Sequence, residues 1–542
     1  MIDIPEPYRF ENMLNGKTVV VGTGASISIY RVPDLVRDLR REGADVIVIM
    51  TANAQELINP EVMRWASENQ VITKITGKIE HISLFQTDPK NTAFLVSPAS
   101  YDLIGKMANG ISDDPVSLSF SFAHGNGNPV VIAPAMHKAM MTNPINADNL
   151  RKLQSSGVLV VPPGLDTDKA KLSQNDQIID YVARSFYGTE LKGKNLMIIS
   201  GHSRVKVDAV RDLVNGSTGF SGYWFCRNAF RLGSGSITFI GNSSYAIPQY
   251  ANFHCSETGD EFLKETVEAL QRNKIDIVVV PAALPDFKIS NDKRNEKLES
   301  GLKQHIDLIP EEKLIYRIID YVARSFYGTE LKGKNLMIIS GHSRVKVDAV
   351  RDLVNGSTGF SGYWFCRNAF RLGSGSITFI GNSSYAIPQY ANFHCSETGD
   401  EFLKETVEAL QRNKIDIVVV PAALPDFKIS NDKRDEKLES GLKQHIDLIP
   451  EEKLIYRIRN IFSGKIVVFS LNSETDPDKI RRKYSKADPD IIVHNSISEG
   501  DGNFGERSNN YTLIERDRVV PLGVMNKREM TLRILREAAG TS

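Results

Sequence analysis

The sequence predicts an α/β chain: a doubly wound domain first, then a second α/β domain of which a large part is written twice. Three observations carry this. Through the first ~180 residues, short and wholly apolar β-branched runs alternate with helical patterns, as strands buried on both faces of a parallel sheet do. A second series of such runs begins near Leu191. Residues 178–317 then recur as 318–457 at a constant offset of 140, with Asn295 against Asp435 as the single difference.

The elements follow in order. TVVVG (18–22) ends in a Gly/Ser turn, and PDLVRDLRREG (33–43) opens on Pro and closes on Gly, the asymmetry of a helix. DVIVIM (45–50), TAFLVSPAS (92–100), PVVIAPAM (129–136) and VLVVPP (158–163) read as further buried strands. In such a sheet a ligand is expected at the carboxyl ends of the strands. The second domain opens with LKGKNLMIISG and continues through SITFIGN, DIVVVPAAL, KIVVFSL and DIIVHN. At 542 residues the chain has room for two to four domains.

Composition removes several function classes. Lys plus Arg and Asp plus Glu are balanced at 66 each, so no broad positive field exists to hold nucleic acid or an anionic membrane. No apolar stretch reaches the ~20 residues of a spanning helix, and the polar, acidic start lacks the pattern of a signal peptide. A cytoplasmic location is expected. The four cysteines are two and their copies, Cys226 and Cys255 with Cys366 and Cys395, and reduced thiols are the default.

The repeat copies core and surface alike, whereas long-separated units drift on their solvent faces. It is a tandem duplication too recent to have drifted, or a repeat introduced in assembling the sequence. Its junctions splice the end of one unit onto the start of the next: QNDQIIDYVARS enters the first copy and KLIYRIIDYVARS the second. Removing one copy leaves 542 − 140 = 402 residues of continuous pattern. Copy one stops before KIVVFSL and DIIVHN, so it is expected to expose strand edges and apolar surface, or to borrow the lobe at 459–542 in competition with copy two.

GTGAS (22–26) follows the first strand and has the makings of a phosphate cradle. It is not GxGxxG, and DVIVIM ends in Thr51 instead of an acid for a ribose, so a mononucleotide such as FMN suits it better than a dinucleotide. His81, in GKIEHISL, precedes a strand and taken alone is more often structural. With SPASYDLIGKMANGISDD (97–114) and APAMHKAMMTNP (133–144), however, it resembles the flavoprotein cysteine decarboxylase family, in particular the phosphopantothenoylcysteine decarboxylases, over about 160 residues. That resemblance implies a flavodoxin-like domain binding FMN, with His81 as catalytic base, Gly24, Ser26, Thr51 and Ser100 lining the flavin, and Met136 beside flavin or substrate. It also implies oxidation of the thiol-bearing carbon before the carboxylate leaves. Two departures stand out. His137 replaces the family's Asn, where a protonated imidazole would serve as donor; and no cysteine precedes Cys226, so Lys169 and Lys171 in PPGLDTDKAKLS (162–173), a form similar to that of archaeal members, become candidates to hold substrate. A solvated loop is the alternative reading of those lysines.

AVRDLVNGSTGFSG (349–362), PAALPDFKI (421–429), EKLES (436–440), SLNSETD (470–476), KYSK (483–486) and DIIVHN (490–495) resemble, in order, the motifs of the phosphopantothenate–cysteine ligase family. The implied fold is Rossmann-like. Asn355, with Arg351, contacts the acyl substrate; Asp426 binds nucleotide; Lys437 acts on phosphate charge in catalysis; Lys483 and Lys486 hold a triphosphate, with CTP and Mg²⁺ as co-substrate and metal. Here Leu471 takes the place of the family's aromatic, which leaves CTP against ATP open, and Phe360 that of the lysine after the Ser/Gly turn.

The two families occur fused in this order in bifunctional coenzyme A biosynthesis enzymes, whose decarboxylase units are trimeric and ligase units dimeric. The expected division is a decarboxylase domain at 1–190, a partial ligase duplicate at 191–317, a duplicated linker at 318–330 and a complete ligase domain at 331–542. One working ligase site per chain is expected, with Asn215 the stranded duplicate of Asn355. The rival readings are a non-catalytic flavin-binding regulator and a flavin oxidoreductase with another substrate.

Overall fold

The computed structural model describes residues 12–165, 169–290, 307–310, 313–424, 427–430, 445–496 and 508–540. The chain divides into two compact units, Met1–Lys206 with Arg211–Ala283, and Val207–Val210 with Leu284–Ser542.

The first unit begins with a five-stranded parallel sheet in the order Asp45–Met50, Thr18–Thr23, Thr92–Ala99, Val130–Pro134, Leu159–Val160. In chain order that is 2-1-3-4-5, the flavodoxin-like arrangement whose direction reverses beside the first strand. The middle strands are buried throughout, as their unbroken apolar runs require. The fifth is shorter than 158–163: it keeps two half-buried residues, because Pro162 and Pro163 have no N–H to continue the ladder. The expected helix forms as Val32–Arg41 with Pro33 in its first turn, and Gly43 ends it at φ +93, where an added Cβ would press on Asn15 backbone at 3.0 Å.

Helix Asn175–Tyr187 belongs to two cores at once. Its Ile178, Ile179, Val182 and Ala183 complete the flavodoxin-like core. From its other face Asp180, 1% exposed, pairs with Arg227 at 2.8 Å and Arg231 at 2.7 Å and accepts a hydrogen bond from Tyr250 at 2.8 Å. Burial alone would raise the Asp180 pKa; the two guanidiniums outweigh it and hold the carboxyl below its ordinary range. Removing one partner from such a buried cluster costs about 3–5 kcal/mol.

The two copies share four parallel strands: Asn252–Cys255, Ile237–Gly241, Leu196–Ser200 and Ile277–Val279 in copy one, and Asn392–Cys395, Ile377–Gly381, Leu336–Ser340 and Ile417–Val420 in copy two. Among the described residues copy one's sheet stops there. In copy two it continues through Lys465–Asn472 and Ile491–Ser496, parallel, and then Asn509–Ile514 and Val519–Met525, antiparallel, to eight strands. The difference shows in identical residues. Ile417, Val418 and Val419 are 2%, 0% and 0% exposed beneath the added strands, whereas Ile277, Val278 and Val279 are only half-buried. The C-terminal lobe therefore completes copy two, and among the described residues no strand pairs with the outer edge of Ile277–Val279 in copy one.

At the junction, Leu314–Tyr327 is one continuous helix. Its first turn is the end of copy one and the remainder the start of copy two, with Leu314 and Ile318 buried four residues apart on one face. In the lobe, helix Lys527–Ala539 packs on helix Phe360–Arg371, where the Asn368 amide donates to the Arg528 carbonyl at 2.9 Å and to Thr531 Oγ1 at 2.8 Å.

Candidate active sites

Each strand of the first sheet delivers a polar or small residue at its carboxyl end. Gly24 follows the first strand, and its N–H donates to the Pro98 carbonyl at 3.2 Å, closing the first turn onto the third. An added Cβ at Gly24 would lie 2.5 Å from Leu103 Cδ1 and 3.0 Å from the Pro98 carbonyl oxygen, so only glycine fits. Thr51 caps helix Ala52–Leu57, its Oγ1 accepting from the Ala54 N–H at 3.2 Å; Ser100 caps Tyr101–Ala108, accepting from Leu103 N–H at 3.3 Å. Ser26 precedes the short 3₁₀ turn Ile27–Arg31 with no capping bond from its side chain. The Ala135 N–H donates to the Ala99 carbonyl at 3.1 Å, which brings the Met136 segment to the Ser100 turn. A glycine cradle flanked by hydroxyls at helix starts suits the phosphate of a mononucleotide.

His81 lies in helix Glu80–Gln86, ahead of the strand Thr92–Ala99. The left-handed Ile79 (φ 51) starts that helix, and the ring packs edge-on to Phe122 at 6.4 Å. Its Nδ1 is buried without a hydrogen-bond partner among the described residues, leaving a nitrogen for a ligand or substrate proton. His137 Nδ1 accepts from the Ala139 N–H at 3.2 Å as cap of helix Lys138–Met141, which leaves Nε2 as the ring nitrogen available to a ligand. The segment Lys169–Lys171 pairs antiparallel with Met136–His137, His137 opposite Lys169, and Gly164–Leu165 pairs on its other side. The loop without cysteine is thus carried beside the Met136 segment. Lys171 is exposed, and of Lys169 only the backbone is described.

The second constellation is a pocket of about 270 Å³ in the second unit. The Asn355 loop reaches it through Ser357 and Ser361; Asn355 Nδ2 donates to the Ala423 carbonyl at 2.7 Å and its Oδ1 accepts from the Ser357 N–H at 3.0 Å. Ser470, Leu471, Lys483, Asn495, Asn509, Tyr511 and Lys527 come from the lobe beyond the repeat. In copy one Asn215 makes the same two bonds, at 2.9 Å to Ala283 and 3.0 Å from Ser217, but no lobe follows it. Lys486 is exposed, its Nζ 6.0 Å from the Tyr456 ring, and Arg351 is exposed and paired with Asp348 at 2.9 Å. Asp426 and Lys437 lie outside the described residues.

Two residues were missed in the motifs. Lys527, 9% exposed, lines the pocket with its Nζ 5.8 Å from the Phe360 ring, and burial holds its pKa below the ordinary lysine range. The available signal was a lysine directly after the helix cap Asn526, where acids are favoured. His494 is 5% exposed and lies beside Ser470 in the sheet register. Burial depresses its pKa, against smaller opposing contributions from the backbone of Ser470 and Glu474.

The fold is a flavodoxin-like α/β domain followed by a second α/β domain, part of which is written twice. The family models agree: Flavoprotein matches residues 7–187, and the DNA/pantothenate metabolism flavoprotein C-terminal domain matches twice, at 191–324 and 331–541. The chain is 35% identical over 309 residues to the coenzyme A biosynthesis bifunctional protein CoaBC of Thermococcus kodakarensis, covering 56% of this chain and 75% of that one. It is 29% identical over 317 residues to the Bacillus subtilis protein of that name, covering 55% and 77%. A crystal structure of the C-terminal domain of CoaBC aligns over 39% of this chain and 97% of that one at 20% identity, with a TM-score of 0.33. The chain belongs to the family of bifunctional coenzyme A biosynthesis proteins.

Proposed function

We propose that the chain joins 4′-phosphopantothenate to cysteine with CTP in its C-terminal domain, then decarboxylates 4′-phosphopantothenoylcysteine to 4′-phosphopantetheine with FMN in its N-terminal domain. The observation that carries this reading is the pairing, in one family-matched chain, of the Gly24 cradle with a lysine-bearing pocket on the Asn355 loop. Gly24, Ser26, Thr51 and Ser100 hold the flavin, with Met136 beside it. When bound, flavin supplies a reversible two-electron acceptor at the thiol-bearing carbon. His81 Nδ1 handles the proton of the cysteine moiety, His137 Nε2–H donates to the substrate carboxylate, and Lys169 and Lys171 close over it.

In the ligase, Lys483, Lys486 and Lys437 gather the nucleotide phosphates together with Mg²⁺, and Asp426 binds the nucleotide. Asn355 and Arg351 orient the acyl carboxylate for attack on the α-phosphate. Cysteine then displaces CMP. One ligase site works per chain, because the lobe residues of the pocket follow only copy two. No helix among the described residues is long and apolar enough to cross a membrane, in keeping with a cytoplasmic enzyme. Trimeric decarboxylase and dimeric ligase units complete the proposal.

The test supplies the purified protein with 4′-phosphopantothenate, cysteine and CTP. CMP and CO₂ are both expected; bound flavin with neither product would favour a non-catalytic flavin protein, and a colourless protein would remove the flavin. Replacing His81→Asn should abolish CO₂ release and leave CMP formation intact, and parallel loss of both would refute the division of labour.

A further inference from the structure

The pocket's described lining carries Lys453, Lys483 and Lys527 and no acidic residue. Lys527 differs from the other two in its surroundings. It is nine-tenths buried, yet no carboxylate pairs with it among the described residues, and its Nζ lies over the face of Phe360 at 5.8 Å. It is also the first residue of the 13-residue helix Lys527–Ala539, so its ammonium lies at the positive end of the helix dipole. Desolvation, a missing counter-ion and a like-signed dipole all work against a charged group there. One anion placed in the pocket beside Lys527 would relieve all three together.

The neighbours indicate which anion. Phe360 directly follows the turn that holds Asn355 and Ser357, and Ser361 lines the pocket one residue further on. Lys483 reaches the same pocket from the end of helix Pro477–Lys483, with Leu471 on the adjoining strand. Lys527 therefore belongs to the Asn355 side of the pocket and Lys483 to the Leu471 side. The position after the Ser/Gly turn, Phe360, brings no charge of its own, and the lobe's last helix supplies one across its ring.

We propose that Lys527 binds the anionic end of the acyl substrate, carboxylate or phosphate, and not the nucleotide triphosphate. This rests on the ligase reading. The test measures CMP formation by the full-length wild type, Lys527→Met and Lys527→Arg, varying 4′-phosphopantothenate and CTP separately. Lys527→Met should raise the KM for 4′-phosphopantothenate by roughly ten- to hundredfold, the loss of one charged hydrogen bond, with the KM for CTP within about twofold. Lys527→Arg should recover most of that loss, which a merely structural role would not predict. CO₂ release from supplied 4′-phosphopantothenoylcysteine, a readout of the other domain, should be unchanged in both variants. If Lys527→Met is poorly folded, Lys527→Gln takes its place. A rise in the KM for CTP alone would move Lys527 to the nucleotide side and overturn the assignment; no change in either KM would overturn it too, leaving the lysine as a cation on Phe360. A wild type that forms no CMP would bring down the ligase reading and this assignment with it.

Discussion

The repeat provides an internal control for the role of the Asn355 loop. Asn215 and Asn355 make the same pair of hydrogen bonds within the same residues, 2.9 and 3.0 Å in copy one and 2.7 and 3.0 Å in copy two. Substituting either by Ala removes two neutral bonds, at most about 1–2 kcal/mol of loop stability in total, and less for the exposed Asn215 than for the half-buried Asn355, because water replaces more of each bond there. The structural cost is small in both variants, and a difference of orders of magnitude in activity belongs to the pocket. If Asn355 stabilises the reacting acyl oxygen, its loss should slow CMP formation by about 10²–10³-fold, the cost of one preorganised donor. Asn215→Ala should stay within about twofold of wild type, because a change near a working site and not a fold defect is what costs orders of magnitude. The assay is CMP release at saturating CTP and cysteine for the two single variants and the double. Equal losses in the single variants, or activity that disappears only in the double, would refute the single-site argument.

Three further outcomes follow. Ile417→Ala should destabilise the second unit by about 2–5 kcal/mol and Ile277→Ala the first by about half that, because only Ile417 is fully covered; equal shifts in chemical denaturation would mean that copy one's edge is covered in solution. His494 has a depressed pKa when folded, so below its unfolded value of 6.5 the unfolded chain takes up a proton that the folded chain resists. Stability should then rise with pH up to about 6.5 and level off above it, and His494→Leu should flatten that slope in denaturant titrations across pH; an unchanged slope would exclude His494 as its source. Gly24→Val should lower the flavin content of the purified protein, read from its visible absorbance, because the new side chain meets Leu103 and the Pro98 carbonyl; full flavin loading would contradict the cradle.

What the sequence disclosed depended on how local the signal was. Uninterrupted apolar runs announced the strands of both sheets, and a constant offset announced the repeat. The strand after Val158 shortened because two prolines outweigh an apolar run. His81 was placed in its motif but not in its helix, since the left-handed Ile79 that starts the helix has no composition signature. His137 was recognised as a departure, while its place as a helix cap needed the backbone N–H of Ala139. Lys527 was invisible to motif reading because its significance depends on Phe360, 167 residues earlier in the chain (527 − 360). Burial, and with it the charge balance of the pocket, comes from tertiary contact.

The continuous helix at Leu314–Tyr327 bears on what a change in the number of copies would cost the fold. Joining two helical segments within a turn preserves the angular phase of the buried stripe, so Leu314 from the end of one copy and Ile318 from the start of the next stay on one buried face. A chain carrying a single copy would rejoin the helix at the same phase and should assemble the same lobe, without the half-buried strand Ile277–Val279.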